Sequence, residues 1–197
     1  MSNTMENLNM NTRCAWAQKN ELMAKYHDEE WGKPLHDDQK LFEFLILEGM
    51  QAGLSWQTIL NKREAFRQAY ADFDVQKVAQ YNQEKVEELL LNAGIIRNRL
   101  KIEASIGNAK HFLEVVAEFG SFDKYIWSFV NYQPDVNHWT AMNEVPARTE
   151  LSDRISADLK RRGFKFVGST IIYAHLQATG MVNDHLLSCF CHPESNE

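Results

Sequence analysis

The stretch Gly163-Phe164-Lys165-Phe166-Val167-Gly168 joins two segments of helical periodicity, at 152–163 and 169–179. Two glycines allow a sharp turn, and the backbone N–H groups that follow lie at a helix N-terminus, where an anion is favoured. A phosphate would fit there, with Lys160 and Lys165 as flanking cations. From this pattern alone, an ordinary helical hairpin with a glycine C-cap is at least as good an interpretation.

Helical periodicity extends over most of the remaining sequence. Segment 38–52 shows it clearly, because apolar side chains recur at helical spacing after Asp37 and Asp38, which can cap a helix. Strand-like alternation is scarce, so we predict an all-α fold, arranged as a bilobed helical globule. Further helices are predicted over 55–70, in a short segment that begins at 74, in a segment that ends at 94, and over 97–118, 122–129, 152–163 and 169–179. A long surface loop is predicted over 131–150, and a last helix or turn near 183.

The composition predicts one folded unit. The chain has 197 residues, 44% of them hydrophobic, and lacks a Gly/Ser-rich or Pro-rich linker. We expect a weakly ordered extension at 1–12, a single domain at 13–192 and a tail at 193–197. No segment resembles a signal peptide or reaches membrane-spanning length, so no membrane partner is expected. Three cysteines suit a reducing cytoplasm or a metal site, and the absence of a heptad seam favours a monomer.

The net charge of −6 disfavours nucleic-acid binding unless the cations are concentrated locally, because phosphate binding is largely electrostatic. Two local clusters exist, although solvated helix faces would explain either one equally well. Their members are Arg97, Arg99 and Lys101, and Lys160, Arg161, Arg162 and Lys165.

A metal site is the second candidate feature. His185 and Cys189 are four residues apart and would share one helical face, while Cys14 and His27 form a second pair near the start of the chain. Two cysteines and two histidines make a closed tetrahedral zinc site, which leaves no position for an activated water. Buried cysteines and capping histidines are the alternative, and other residues could substitute as ligands: Cys191, His175 and His192.

Glu48 is the third candidate feature, because it lies in the apolar stripe of its helix. A partly desolvated carboxylate there has a raised affinity for a proton or for a cationic ligand. The alternative is a marginal glutamate paired with a Lys or Arg. Several aromatic residues lie nearby in sequence, and they could form core or line a slot for a flat base. These are Trp16, Tyr26, Trp31 and Trp56.

Five segments taken together resemble the 3-methyladenine DNA glycosylase I family. The similarity covers about 13–191, and matches of this length and order are far more specific than a lone motif. The segments are Arg13-Cys14-Ala15-Trp16, Tyr26-His27-Asp28-Glu29-Glu30-Trp31-Gly32, Leu47-Glu48-Gly49-Met50-Gln51-Ala52-Gly53-Leu54-Ser55-Trp56, Gly163-Phe164-Lys165-Phe166-Val167-Gly168 and Val182-Asn183-Asp184-His185.

The resemblance implies a helix-hairpin-helix DNA glycosylase fold and excision of N3-methyladenine from alkylated double-stranded DNA, with the free base as product. It implies one structural Zn²⁺, held by Cys14, His27, His185 and Cys189. It assigns Glu48 and Tyr26 to hydrogen bonds with the extruded base, Trp56 to stacking, and Trp16, Trp31 and Met23 to the pocket lining. Leu54 would fill the vacated stack, and the remaining DNA contacts would come from Gly53, Lys160, Lys165, Phe166, Gly168 and Ser169.

Three positions depart from patterns in related enzymes. Met23 stands where some relatives carry a pocket tyrosine, and Asn183 stands where a catalytic aspartate is common, so Asp184 is interpreted as a helix cap. Thr170 replaces the lysine nucleophile of strand-cleaving relatives, so we expect a monofunctional hydrolase that leaves an abasic site. Two other classes stay open: a noncatalytic module that binds damaged DNA, and a zinc-stabilised helical interaction protein.

Overall fold

The computed structural model describes residues 12–196, and it is mostly helical. The predicted helical fold class is therefore confirmed at this level. Over these residues the α-helices are α1 (Glu21–Glu29), α2 (Asp38–Gln51), α3 (Trp56–Ala69), α4 (Val75–Ala79), α5 (Gln83–Leu91), α6 (Arg99–Phe119), α7 (Phe122–Ser128), α8 (Glu150–Arg161) and α9 (Ser169–Ala178). Short 3₁₀ turns occupy Ala15–Lys19, Ala71–Phe73, Met142–Glu144 and Pro193–Asn196. The first eleven residues of the predicted 1–12 extension lie outside the described residues.

Side-chain caps set most helix starts. Asp37 accepts a hydrogen bond from the Lys40 backbone N–H at the start of α2, and Ser55 does the same for Thr58 at the start of α3. The helix predicted from 152 begins earlier, at Glu150, because Thr149 is the capping residue. The helix predicted from 97 begins at Arg99, after the cap Asn98.

Helix α2 is the centre of the molecule. All ten residues from 41 to 50 are buried, and the helix packs against α3, α6, α7 and α9. A helix that is buried on every side needs an apolar sequence all round. Two glutamates, Glu43 and Glu48, break that rule, and both are buried.

The end of the chain corrects two predictions. No helix forms near 183; instead the two-residue strand β2 (Val182–Asn183) pairs in parallel with β1 (Asp135–Val136) from the predicted 131–150 loop. Within residues 12–196, this small sheet and an isolated bridge between Thr12 and Cys189 depart from an all-α fold. Asp184, interpreted as a helix cap, caps no helix and is completely buried. The 193–197 tail contains the 3₁₀ turn Pro193–Asn196, which follows the buried His192.

The hairpin turn, residues 163–168 between α8 and α9, uses its glycines differently from the prediction. Gly163 has φ of +97°, and a Cβ there would lie 2.6 Å from the His111 ring, so this position requires glycine. Gly168 has an ordinary φ of −60°, and the second positive φ, +55°, belongs to Phe166. None of the described helices is both long and apolar enough to cross a membrane.

Candidate functional site

A cavity of about 410 Å³ opens between the N-terminal segment, α1, α2, α3 and α9. We call it the aromatic cavity. All six residues predicted to hold or surround a base line it: Trp16, Met23, Tyr26, Trp31, Glu48 and Trp56. The structure therefore brings together side chains that are up to 40 positions apart in the sequence.

The rings of the aromatic cavity contact one another edge to face or tilted. The Trp16 and Trp31 rings are 5.1 Å apart at 75°, and the Tyr26 and Trp56 rings are 5.4 Å apart at 49°. Phe44 lies behind Trp56, nearly parallel to it, with a centroid distance of 6.5 Å. Such contacts fix ring positions while leaving flat faces available for a planar ligand.

Glu48 and Glu43 sit in opposite electrostatic environments on the same helix. Glu43 is paired with two guanidinium groups, at 2.6 Å from Arg63 and 2.9 Å from Arg67. Glu48 is 3% exposed, and its Oε2 has no hydrogen-bond partner among the described residues. Burial raises the pKa of Glu48 from 4.5 to about 8. The alternative of a Glu48 that is paired with Lys or Arg is therefore wrong.

Two further polar groups, from Trp56 and Tyr26, line the cavity. The Trp56 Nε1–H is buried and donates to nothing within residues 12–196. Burial, together with the negative charge of Glu48, raises the pKa of the Tyr26 phenol, which stays a neutral hydroxyl. Because an unpaired buried polar group costs free energy, these atoms suit a ligand that carries both a donor and an acceptor.

Several lining residues were missed by the sequence reasoning. Ala174 and Gln177 share one face of α9, but their place in the cavity depends on how that helix packs, and no local pattern marks them. Met142 comes from the 131–150 loop, and no local pattern marks it. The other missed lining residues are Lys19, Gln51, Ser55 and Gln57.

The predicted metal ligands converge behind this cavity. We call Cys14, His27, His185 and Cys189 the Cys/His cluster; all four are buried, and their ligand atoms lie within 4.8 Å of one another. Cys189 Sγ is 3.4 Å from His27 Nε2 and 3.5 Å from His185 Nδ1, and Cys14 Sγ is 3.9 Å from His185 Nδ1. Tetrahedral zinc with Cys and His ligands has ligand-to-ligand distances of about 3.3–3.8 Å. The four residues could therefore hold a metal ion.

Hydrogen bonds outside the cluster select which imidazole nitrogen faces inward. His27 Nδ1 bonds to Asp28 Oδ1 at 2.8 Å, and His185 Nε2 bonds to the Trp31 carbonyl at 2.9 Å. Arg13 donates to both Asp28 oxygens, which keeps the pKa of that carboxyl low. A carboxylate or carbonyl behind each ligating imidazole is the usual arrangement at protein metal sites.

The helical spacing predicted for two of the cluster residues was wrong. His185 and Cys189 do not share a helix face; they lie on an irregular segment, and residue 189 forms an isolated bridge with Thr12. The other candidate ligands are placed elsewhere or outside the set of four. The Cys191 Sγ lies 4.0 Å from His27 Nδ1, and His192 bonds to the Asn137 carbonyl. His175 is buried, and neither of its ring nitrogens has a hydrogen-bond partner in the part of the chain that the structure describes.

The Cys/His cluster supports the wall of the aromatic cavity. The Trp16 ring lies 5.3 Å from the His27 ring, and the Trp31 ring lies 4.7 Å from the His185 ring. The same two tryptophans form the wall on their cavity side. Displacing the histidines would therefore move the tryptophans.

The predicted cationic surface is smaller than the sequence suggested. Lys101 is buried and donates to two backbone carbonyls, while Arg99 is paired with Glu87. Arg161 and Arg162 both pair with Asp158. The predicted cations that stay exposed without a carboxylate partner within residues 12–196 are Arg97, Lys160 and Lys165.

The predicted DNA-contacting residues lie on two exposed segments. Gly53 has φ of +80°, and Leu54 beside it is 41% exposed, at the edge of the aromatic cavity near Ser55. On the hairpin turn, a Cβ at Gly168 would meet nothing within 4 Å. Ser169 starts α9, and its hydroxyl bonds to that of Ser152 at 2.8 Å.

Asn183, the last residue of β2, and Asp184, which follows it, both have hydrogen-bonded side chains. Asn183 donates to the Gly32 carbonyl and accepts from the His185 N–H. Asp184 accepts hydrogen bonds from four side chains, so its carboxylate has a structural role and is not available as a general base. The donors are Asn137, Trp139, Tyr173 and Gln177.

A family model described as methyladenine glycosylase matches residues 16–192 of this chain. Among curated proteins, the chain is 51% identical over 181 residues to the DNA-3-methyladenine glycosylase 1 of Escherichia coli strain K12, covering 92% of this chain and 97% of that protein. It is 47% identical over 182 residues to the DNA-3-methyladenine glycosylase of Haemophilus influenzae, covering 92% and 98%.

A solved structure shows the same fold. The 3-methyladenine DNA glycosylase I from Staphylococcus aureus, studied for its recognition of 3-methyladenine, superposes with a TM-score of 0.89 at 37% identity. The match covers 92% of this chain and 97% of that one.

Proposed function

This chain belongs to the methyladenine glycosylase family, and we propose that its reaction in base-excision repair, the removal of 3-methyladenine from DNA, proceeds by extrusion of the base into the aromatic cavity. Water then hydrolyses the N-glycosidic bond and leaves an abasic site. Glu48 carries this proposal, because a buried carboxyl whose Oε2 has no hydrogen-bond partner among the described residues lies beside several aromatic rings. That arrangement suits a flat cation better than any neutral base.

The charge of the substrate explains the proposed selectivity. Methylation at N3 makes the purine in DNA a cation, so it stabilises the ionised form of Glu48, and Glu48 releases its proton when the base binds at neutral pH. Unmodified adenine brings no charge and would leave the carboxyl protonated. The Tyr26 hydroxyl and the Trp56 Nε1–H supply further hydrogen-bonding groups at the same cavity.

The leaving group needs no acid. When the bond between N9 and C1′ breaks, its electron pair goes to N9 and neutralises the cationic purine, so the base departs neutral and the positive charge is left on C1′ of the sugar. The water oxygen bonds to C1′ and releases one proton, which balances the charge. Asn183 and Asp184 are not candidates for a base here, because their side chains are occupied by structural hydrogen bonds.

We propose that the reaction stops at the abasic site. Thr170 stands at the position expected for a lysine nucleophile, and the one lysine among the described cavity-lining residues is Lys19, which is exposed. A Schiff-base mechanism needs an amine that attacks C1′ directly. Treatment with borohydride during turnover should therefore trap no covalent protein–DNA adduct.

Duplex DNA is the proposed partner of the hairpin turn. The open space at Gly168 lets a phosphodiester approach the backbone N–H groups at the start of α9, and the exposed Lys160 and Lys165 add charge. This is the helix-hairpin-helix mode of binding. Leu54, exposed beside the cavity, would fill the gap left by the extruded base.

We propose one structural Zn²⁺ in the Cys/His cluster. Bound zinc would supply a cross-link between residues 14–27 and 185–189, and its four protein ligands would exclude an activated water. The chain's part is to hold Trp16 and Trp31 against the two histidines. Three cysteines without a disulfide suit the reducing cytoplasm, and the lack of a heptad seam in the sequence favours a monomer.

One assay tests the proposal. DNA treated with a methylating agent is incubated with the protein, and the released bases are separated by liquid chromatography. Release of 3-methyladenine, with abasic sites left in the DNA, is expected. Binding of duplex DNA without release of any base would instead support a noncatalytic damage-binding module, and the absence of salt-sensitive DNA binding would support an interaction protein.

A further inference from the structure

Lys101 of α6 is a buried lysine that the reaction does not use. Its Nζ donates to the carbonyls of Met50 at 2.8 Å and Ala52 at 2.7 Å. These carbonyls belong to the C-terminal end of α2, where backbone acceptors lack intrahelical donors and the helix dipole is negative. Lys101 therefore fixes the end of α2 and the start of the 52–55 loop, which carries Leu54.

Asn108 lies two helical turns further along α6 and holds a second segment. Its Nδ2 donates to the Lys165 carbonyl at 2.9 Å, and its Oδ1 accepts from the Lys165 N–H at 2.8 Å. Asn108 is 4% exposed. The next residue of the hairpin turn, Phe166, has φ of +55°, a conformation that a bulky side chain keeps only when its surroundings hold it.

The two contacts are made by one side of one rigid element. Seven residues in an α-helix amount to about two turns, so Lys101 and Asn108 lie on the same face, about 10 Å apart. The segments that they hold also touch each other: a Cβ at Gly49 would lie 3.4 Å from the Phe166 Cβ. The end of α2 and the hairpin turn are thus attached side by side to α6.

We propose that this face of α6 sets the spacing between the 52–55 loop and the hairpin turn, so that both reach the same duplex at once. Lys101 and Asn108 are positioning residues for DNA engagement. This inference rests on the proposed function. Because phosphates and base steps of duplex DNA have fixed separations, two contact segments at the wrong distance cannot both bind without distorting the DNA.

Three variants test the proposal: Lys101→Met, Asn108→Leu and the control Ser105→Ala. Ser105 is buried on the same helix and bonds to the Tyr70 hydroxyl, not to either segment. Affinity is measured for a duplex that carries an abasic-site analogue, and separately for free 3-methyladenine by tryptophan fluorescence. We expect Lys101→Met and Asn108→Leu each to weaken duplex binding about tenfold or more, with free-base affinity within about twofold of the parent.

Salt dependence separates positioning from direct phosphate contact. A lysine that neutralises a phosphate contributes about one to the slope of log K against log salt concentration. Lys101→Met should leave this slope unchanged, whereas Lys165→Ala should reduce it. A reduced slope for Lys101→Met would overturn the proposal.

The double variant gives the sharpest readout. Once either segment is released, freeing the other should weaken duplex binding little further, so the effects on affinity are less than additive. Their effects on thermal stability should add, because the sites are about 10 Å apart. Additive losses of affinity would contradict a shared spacing role. If Asn108→Leu fails to fold, Asn108→Asp, which keeps the acceptor for the Lys165 N–H, should weaken duplex binding to a smaller degree.

Duplex affinity within twofold of the parent for either single variant would overturn the inference, as would an equal loss of free-base binding. These results are distinguishable from failure of the proposed function. If the proposed function fails, the parent protein itself releases no 3-methyladenine from methylated DNA.

Discussion

The Cys/His cluster and the aromatic cavity share a wall of two tryptophans, yet their polar atoms are used in opposite ways. In the cluster, each imidazole nitrogen that points away from the sulfurs has a hydrogen-bond partner. In the cavity, the Glu48 Oε2 and the Trp56 Nε1–H have none among the described residues. One side of the wall is completed by the chain itself, and the other is left for a ligand.

The aromatic cavity, not the Cys/His cluster, therefore holds the polar groups whose burial opposes folding. Partnered polar groups contribute to stability or are neutral, whereas buried groups without partners oppose folding. Glu43 and Glu48 show this within one helix, since Glu43 is neutralised by two arginines and Glu48 is paired with no arginine or lysine among the described residues. Without a bound cation, the protein is therefore expected to be less stable than a variant with a neutral side chain in place of Glu48.

The largest expected effect is that of Glu48→Gln. The amide keeps the shape and loses the charge, so we expect excision of 3-methyladenine to fall by about 10²–10³-fold. Stability should change in the other direction. The pKa of Glu48 is raised from its ordinary value of 4.5 to about 8 in the fold. Between pH 4.5 and about pH 8 the folded state therefore retains a proton that the unfolded chain has lost.

The free energy of unfolding of the parent therefore falls as the pH rises from about 4.5 to about 8, and glutamine removes that loss. We expect the melting temperature of Glu48→Gln to exceed that of the parent by about 5 °C at pH 8, with no excess near pH 4.5. Glu43→Gln is the matched control, and it should be less stable than the parent because it leaves Arg63 underpaired. A change in melting temperature of the same sign for both variants at about pH 8 would contradict the proposed difference between Glu43 and Glu48.

Local pattern was enough to find the central residues of both regions. Glu48 was identified because a carboxylate occupied an apolar stripe, and the cluster because Cys and His occurred in two spaced pairs. The second argument selected four residues that do converge, although its premise was incorrect, since residues 185–189 are not helical. The spacing was informative because a short irregular turn can also bring side chains four positions apart together.

Long-range pairing was not predictable from local pattern. Arg99, Arg162 and Lys101 looked like an exposed cationic surface, but their partners are Glu87, Glu118 and the end of α2. Gln177 was missed for the same reason, because its place in the cavity depends on how α9 packs against the rest of the chain. Helix starts shifted by about two residues where a different polar residue acted as the cap.

A smaller effect is expected from Asp28→Asn. The Asp28 carboxylate accepts from His27 Nδ1 and so keeps Nε2 directed at the cluster. An amide accepts more weakly, and we expect zinc affinity to fall by about 10–100-fold, measured by competition with a chromophoric chelator. Asp123→Asn is the control, because Asp123 pairs with the exposed His36 at 2.7 Å, outside the Cys/His cluster. The same loss in both variants would show that the change is not specific to the cluster.

The smallest effect comes from comparing two indoles. The Trp56 Nε1–H has no partner within residues 12–196, so Trp56→Phe removes no hydrogen bond of that part of the chain and should change the melting temperature little. If the base uses that donor, affinity for free 3-methyladenine falls by about 2–10-fold. Trp127 is completely buried, and its Nε1 donates to the Leu35 carbonyl at 2.9 Å.

Trp127→Phe makes the same change in size but leaves that carbonyl without its donor and a void in the core, so we expect a loss of about 2–4 kcal/mol in the free energy of unfolding. Thermal denaturation and fluorescence titration of both variants measure the two quantities side by side. Trp127→Phe should lose stability and keep base affinity, and Trp56→Phe should do the reverse. Equal losses of stability would mean that the Trp56 donor is satisfied in solution, and the cavity would then differ from the cluster at Glu48 alone.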